Sequence, residues 1–163
     1  MACSRLSLAM WKLLQRFNAL DRRTQGFFVR AAILLPVIAV SLRLRGLRAT
    51  QGALGRFLST PNVPGRQFDG SMAKDAACIA QMVHAAARYG PVRPTCLEKS
   101  VALWWFLGRR GIPSSLRIGT RKNAGRLEAH AWIEFGGSAL DETGVSLRSY
   151  TPFDAPLPAF SRK

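Results

Sequence analysis

The chain has 163 residues, enough to bury one core with a helical appendage and too few for two independent domains. Apolar residues make up 48% and charged residues 20%, with no low-complexity tract or internal repeat, which excludes a disordered chain. The net charge is +15 and unevenly placed: residues 1–66 carry eleven Lys or Arg against the single acid Asp21, and residues 67–163 carry thirteen against eight.

A basic field of this kind attracts nucleic acid, anionic lipid or acidic peptide, although arginine-rich usage also follows from a GC-rich bacterial genome. The three cysteines, Cys3, Cys78 and Cys96, are an odd number, and no convincing signal peptide precedes them. Free thiols in a reducing cytosol are therefore expected. No CxxC pair is present and there are only two histidines, which argues against a zinc site; no cofactor is expected.

In chain order, Met10, Leu13, Leu14, Phe17 and Leu20 fall at helical spacing and predict a short amphipathic helix. Asp21 is a candidate cap for a second helix, from about Arg22 to Arg45, containing the apolar run Ala31–Leu42 with Pro36 inside it. That run is shorter than the roughly 20 residues a bilayer span needs, and Arg30 and Arg43 flank it. A span is not expected. Packing on the remainder of the chain, docking to a partner protein, or lying in a membrane interface all stay open.

Residues 60–65, Thr-Pro-Asn-Val-Pro-Gly, read as a linker, dividing a basic, apolar helical region (1–65) from a catalytic domain (66–163). Beyond it, Met72, Ala76, Ile79, Val83 and Ala86 form one stripe of a helix over 71–89, capped by Asp69 or Ser71, with Cys78 beside the stripe. His84 falls off that stripe and reads as solvated.

Thr95 and Glu98 match the S/T-x-x-E capping box directly ahead of an apolar run, which puts Cys96 at the first helical position. The helix continues through Val101 and Leu103–Leu107 as the central helix, with Trp104 and Trp105 as core residues. Arg109 and Arg110 suit its negative end, Gly111 its C-cap, and Pro113 stops it. After Pro113 the period changes to two. Leu116 and Ile118 alternate with Arg117 and Gly119, and residues 123–125 form a turn. Leu127, Ala129, Ala131, Ile133 and Phe135 then face one way, and Glu128, His130, Trp132 and Glu134 the other. Gly136-Gly137 leads into a third strand, Ser138–Asp141. The expected fold is α+β, a central helix packed on an antiparallel meander.

A thiolate attacks carbonyl carbon, and the unpaired N–H groups and aligned dipoles of a helix N-terminus favour negative charge there. Cys96 occupies such a place, and its own N–H is a candidate oxyanion donor; the charge of Glu98 acts against the thiolate, so an imidazolium is needed as well. His130, on the sheet, is the available base. Asp141, across the Gly-Gly turn, is the candidate to hold the second imidazole nitrogen, with Glu142 its nearest competitor. Trp132 shares the face of His130 and is a candidate wall of the substrate cleft, whereas Cys3 and Cys78 read as structural or incidental.

The stretch from Cys96 through Leu-Glu-Lys-Ser-Val-Ala-Leu-Trp-Trp-Phe-Leu-Gly-Arg-Arg-Gly-Ile to Pro113, then Leu116-Arg-Ile-Gly, then Ala129-His-Ala-Trp-Ile-Glu, resembles a known family. It is that of the transglutaminase-like, papain-like cysteine peptidases of lasso-peptide biosynthesis, the B2 or leader-peptidase proteins. The likeness spans about residues 75–153. It implies Cys96 as nucleophile, His130 as base and Asp141 as third member, acting in the cytoplasm on a ribosomally made precursor peptide. It further implies two partners, a separate B1-type leader-recognition protein and an ATP-dependent macrolactam synthetase. The residues before the linker leave no room for a fused recognition domain, so the split form is expected, with the N-terminal helices as the docking surface. Nucleic acid is not expected as a partner. Two alternatives remain: acyl transfer to an amine by the same residues, and a non-catalytic basic scaffold for membrane or nucleic acid.

Overall fold

The computed structural model describes residues 21–58, 70–140 and 149–153. The amphipathic helix expected over Met10–Leu20, the linker, Cys3, Asp69, Asp141 and Glu142 lie outside the described residues.

The first helical element, α1 (Arg22–Gly55), starts as expected at Asp21, whose Oδ2 accepts from the Thr24 N–H at 3.2 Å. Pro36 lies within it, and Gly46, at φ 73°, is the residue with non-helical geometry. The Ser41 and Thr50 hydroxyls meet at 2.9 Å although they are nine positions apart. In a straight helix nine residues would separate them by roughly 13 Å, so the chain folds back at Gly46. The expected end near Arg45 is thus a turn, followed by a short returning helical segment that the periodicity did not indicate.

Helices α2 (Gly70–Tyr89) and α3 (Cys96–Arg109) follow. The stripe read from the sequence is the buried face of α2, with Ala76, Ile79, Val83 and Ala86 inside. At the end of α3, Gly111 takes φ 66°, and the Ile112 and Gly111 N–H groups donate to the Leu107 and Gly108 carbonyls, as a glycine-terminated helix requires.

Strands β1 (Ser115–Asn123), β2 (Arg126–Phe135), β3 (Ser138–Ala139) and β4 (Thr151–Pro152) make one antiparallel sheet in the order β3-β2-β1-β4. Both hairpins have two-residue turns with positive φ throughout: Ala124 and Gly125, then Gly136 and Gly137.

One core joins the elements. Leu35 and Ile38 of α1 meet Ile79 and Val83 of α2, Val101 and Leu107 of α3, and Leu116 and Ile133 of the sheet. The N-terminal helix therefore shares the core of the remaining chain. The alternation in β2 holds for Ala131 and Ile133, which are buried, but Leu127 and Ala129 on the same face are exposed because the hairpin end projects beyond the helices.

Candidate active site

Thr95 caps α3 in extended backbone geometry. Its Oγ1 accepts from the Glu98 N–H at 3.3 Å, and Glu98 Oε2 accepts from the Thr95 N–H at 2.7 Å, completing the expected capping box. Glu98 is 5% exposed, and its carboxylate is committed to the backbone at the mouth of the helix. The box fixes the first turn, and with it the half-buried Cys96.

Among the described residues β3 pairs with β2 at Glu134 and Phe135, which leaves the preceding part of the outer edge of β2 without a described strand partner. Helix α3 covers that edge. Ser100 Oγ donates to the Ala131 carbonyl at 2.9 Å, and the Leu140 N–H donates to the Ile133 carbonyl at 2.8 Å, which satisfies two successive outward-facing carbonyls. Cys96, Lys99, Ser100 and Leu103, at helical spacing along one face of α3, line a narrow cleft with His130, Trp132 and Leu140. Cys96 and His130 thus open onto the same space of about 260 Å³, mouth included.

The His130 ring is held between two aromatics. Trp132 stacks on it with 6.2 Å between centroids and 15° between planes, and Tyr150 lies against it at 5.4 Å. Gly119, directly opposite His130 in the β1–β2 register, makes room for the stack: a Cβ there would come within 2.8 Å of Trp132 Cη2 and of the Thr151 carbonyl oxygen. Trp132 Nε1 donates to Glu134 Oε1 at 3.2 Å, fixing the indole. Tyr150 is held in turn by the Arg121 guanidinium, 4.7 Å above its ring, and Arg121 pairs with Glu128 at 2.7 Å. Hydrogen bonds from Asn123 and then Arg121 lower the carboxyl pKa of Glu128 below its ordinary value.

A family model for the transglutaminase-like superfamily matches residues 37–154. The chain belongs to the transglutaminase-like superfamily. Its members are typically cysteine-dependent enzymes, and the helix-plus-antiparallel-sheet arrangement is that of a transglutaminase-like domain. The match begins inside α1, consistent with the core that α1 shares with α2 and α3. Comparisons with curated proteins and with solved structures give no match.

Of the residues read from the sequence of this transglutaminase-like chain, Cys96, His130 and Trp132 border one cleft. Cys78 stands apart, its Sγ 4.0 Å from the Thr24 hydroxyl. His84 corrects the expectation of a solvated side chain. It is half-buried, its Nε2 is enclosed without a hydrogen-bond partner among the described residues, and it lines the cleft beside Cys96. Its place off the apolar stripe of α2 was legible, but not that α3 lies across that flank. Tyr150 was not singled out because it is remote in sequence and reaches His130 only through the pairing of β4 with β1. Ser100 carried a usable signal, four positions after Cys96 and so on the same helix face.

Proposed function

We propose that the protein is a cysteine peptidase that cuts the leader from a ribosomally made lasso-peptide precursor, with Cys96 as nucleophile and His130 as base. The observation that carries this reading is the shared cleft: a residue of the first turn of α3, Cys96, and a residue of β2, His130, line one open-mouthed space. Asp141, which follows directly on the described part of the chain, is the proposed group orienting His130, on the strength of the family resemblance.

In this reaction the Cys96 thiolate, its proton taken by His130, attacks the scissile carbonyl carbon. The Cys96 N–H, which the helix does not use, donates to the developing oxyanion. His130 returns the proton to the leaving amine as the C–N bond breaks, leaving a thioester. Water then attacks the thioester, giving its proton to His130, and the carboxylate product and free thiol are released.

A separate leader-recognition protein and a macrolactam synthetase are the proposed partners, and the cytoplasm the proposed location. The element Thr24–Gly55 passes as long and apolar enough to cross a membrane by length and composition alone, as core helices of soluble proteins also do, but it folds back at Gly46. One face of α1 is taken by the core, while Val29, Ile33, Val37, Val40 and Leu44 are exposed. At 100° per residue these five fall within about 80° of arc, with Arg30 and Arg43 to either side. That stripe supports peripheral contact with an anionic membrane surface.

The test is mass spectrometry of the precursor peptide incubated with the protein and its leader-recognition partner. A freed leader bearing a new carboxylate is expected. An amine adduct without cleavage would move the assignment to acyl transfer. Cys96→Ala should lower cleavage by at least about a thousandfold with folding retained; undiminished activity would leave a non-catalytic scaffold as the better reading.

A further inference from the structure

A second, larger depression adjoins the cleft, lying between α2 and the segment leading into α3, with about 1010 Å³ of space including its open side. His84 and Lys99 border both spaces, so the two adjoin at these side chains. Three cations, Arg88, Arg93 and Lys99, line the groove together with Gln81 and Tyr89, and among the described residues no carboxylate does. The described ion pairs tie up Arg110, Arg117 and Arg121 and leave Arg93 and Lys99 without a carboxylate among the described residues. Arg88 lies over the Tyr89 ring at 5.6 Å, which holds its guanidinium at the groove without neutralising it. The acids nearest in sequence are committed elsewhere: Glu98 to the cap of α3, and Asp75 to Arg110 at 3.8 Å.

We propose that this groove binds an acidic stretch of the peptide substrate, on one side of the bond that Cys96 attacks. The inference rests on the peptidase reading and adds to it a substrate chemistry. Unpaired cations around an open trough concentrate anions there and place a carboxylate-bearing chain against the cleft mouth. The shape suits an extended chain, since the trough is open to solvent and borders the cleft at His84 and Lys99. His84 Nε2, enclosed and without a hydrogen-bond partner among the described residues, borders both spaces and is satisfied by a backbone or side-chain group of the bound peptide.

The experiment measures protection of Cys96 in the full chain against iodoacetamide, read by peptide mass, with Cys78 as the internal reference. The probes are an acetylated, amidated hexapeptide alternating Glu with Gly and its Gln counterpart. The Glu peptide should slow Cys96 alkylation by at least about fivefold, with the Gln peptide giving little protection and added salt removing the effect. Arg93→Glu with Lys99→Glu should abolish protection, and the milder Arg88→Gln with Arg93→Gln should reduce it. Lys122→Glu with Arg126→Glu, at the exposed hairpin far along the sheet, should leave it intact.

Equal protection by the Gln peptide, protection surviving the Arg93/Lys99 reversal, or equal loss in the hairpin variant would overturn the proposal. So would an oligothymidylate protecting as strongly as the Glu peptide, which would assign the groove to nucleic acid. None of these readings requires turnover. Failure of the peptidase assignment would show instead as precursor cleavage that persists in Cys96→Ala.

Discussion

The Ser100 hydroxyl donates to the Ala131 carbonyl at 2.9 Å, tying the helix that begins at Cys96 to the strand residue next to His130. Ser100 lies one turn beyond Cys96, so this bond sets where along β2 the start of α3 comes to rest. Ser100→Ala leaves a buried carbonyl without its donor, at a cost of about 1–3 kcal/mol. Melting temperature should fall by roughly 2–4 °C per kcal/mol for a chain of this size. Peptidase activity should fall further than stability explains, because the two ends of the cleft lose their common anchor. Thermal melts beside cleavage rates at a temperature where both forms are folded check this.

The capping box makes a second prediction. Thr95→Ala removes the acceptor for the Glu98 N–H and should cost about 1 kcal/mol, fraying the turn that presents Cys96. Thr95→Ser keeps the oxygen and should behave as the parent. Iodoacetamide labelling of Cys96 beside chemical denaturation separates the local effect from the global one.

Gly119 has no room for a methyl group. The added Cβ meets the Trp132 indole and the Thr151 carbonyl at 2.8 Å, so Gly119→Ala must move the ring that stacks on His130 or part β4 from β1. A loss of about 1–3 kcal/mol is expected, with a shift in tryptophan emission and a lower cleavage rate. An unchanged rate with full stability would mean that the stack does not position His130.

Glu128 gives the sheet a pH dependence whose sign follows from its lowered pKa. The folded state holds the carboxylate more acidic than the unfolded chain does. The stabilisation is therefore fully present above the ordinary value of 4.5 and is lost as pH falls through the lower folded value. Glu128→Gln should remove that dependence. Urea midpoints for the two proteins should differ near neutrality and converge as acidification protonates the folded-state Glu128 carboxylate, below its ordinary value.

The exposed stripe of α1 predicts sedimentation with vesicles. Binding to vesicles containing phosphatidylglycerol should exceed binding to pure phosphatidylcholine. Ile33→Glu with Val37→Glu should abolish it without unfolding the chain, since both side chains point away from the core. Equal binding to neutral vesicles, or none to either, would sink the membrane assignment.

Local chemistry was written plainly in the sequence. Thr95 and Glu98 announce a capping box, Asp21 a cap, Gly111 and Pro113 a stop, and residues 123–125 and 136–137 the two turns. Each depends on bonds made within a few residues, so the amino-acid order alone specifies it. The alternation of β2 put His130 and Trp132 on one face for the same reason. Periodicity was less informative about α1, because a helix apolar on two opposite faces gives no sign of which face the core takes.

Tertiary structure alone decided which edge of β2 meets α3 and that this edge is the wall of the cleft. Along that edge the Ser100 hydroxyl and the Leu140 N–H donate to the Ala131 and Ile133 carbonyls. It also brought His84 beside Cys96 from a different helix, and Tyr150 beside His130 from the residue that precedes β4, remote in sequence. Contacts of that kind are set by which surfaces pack together, and no local spacing encodes them. The sequence by itself determined where the Cys96 sulfur and the His130 imidazole stand on their own elements; packing determined that they border one cleft.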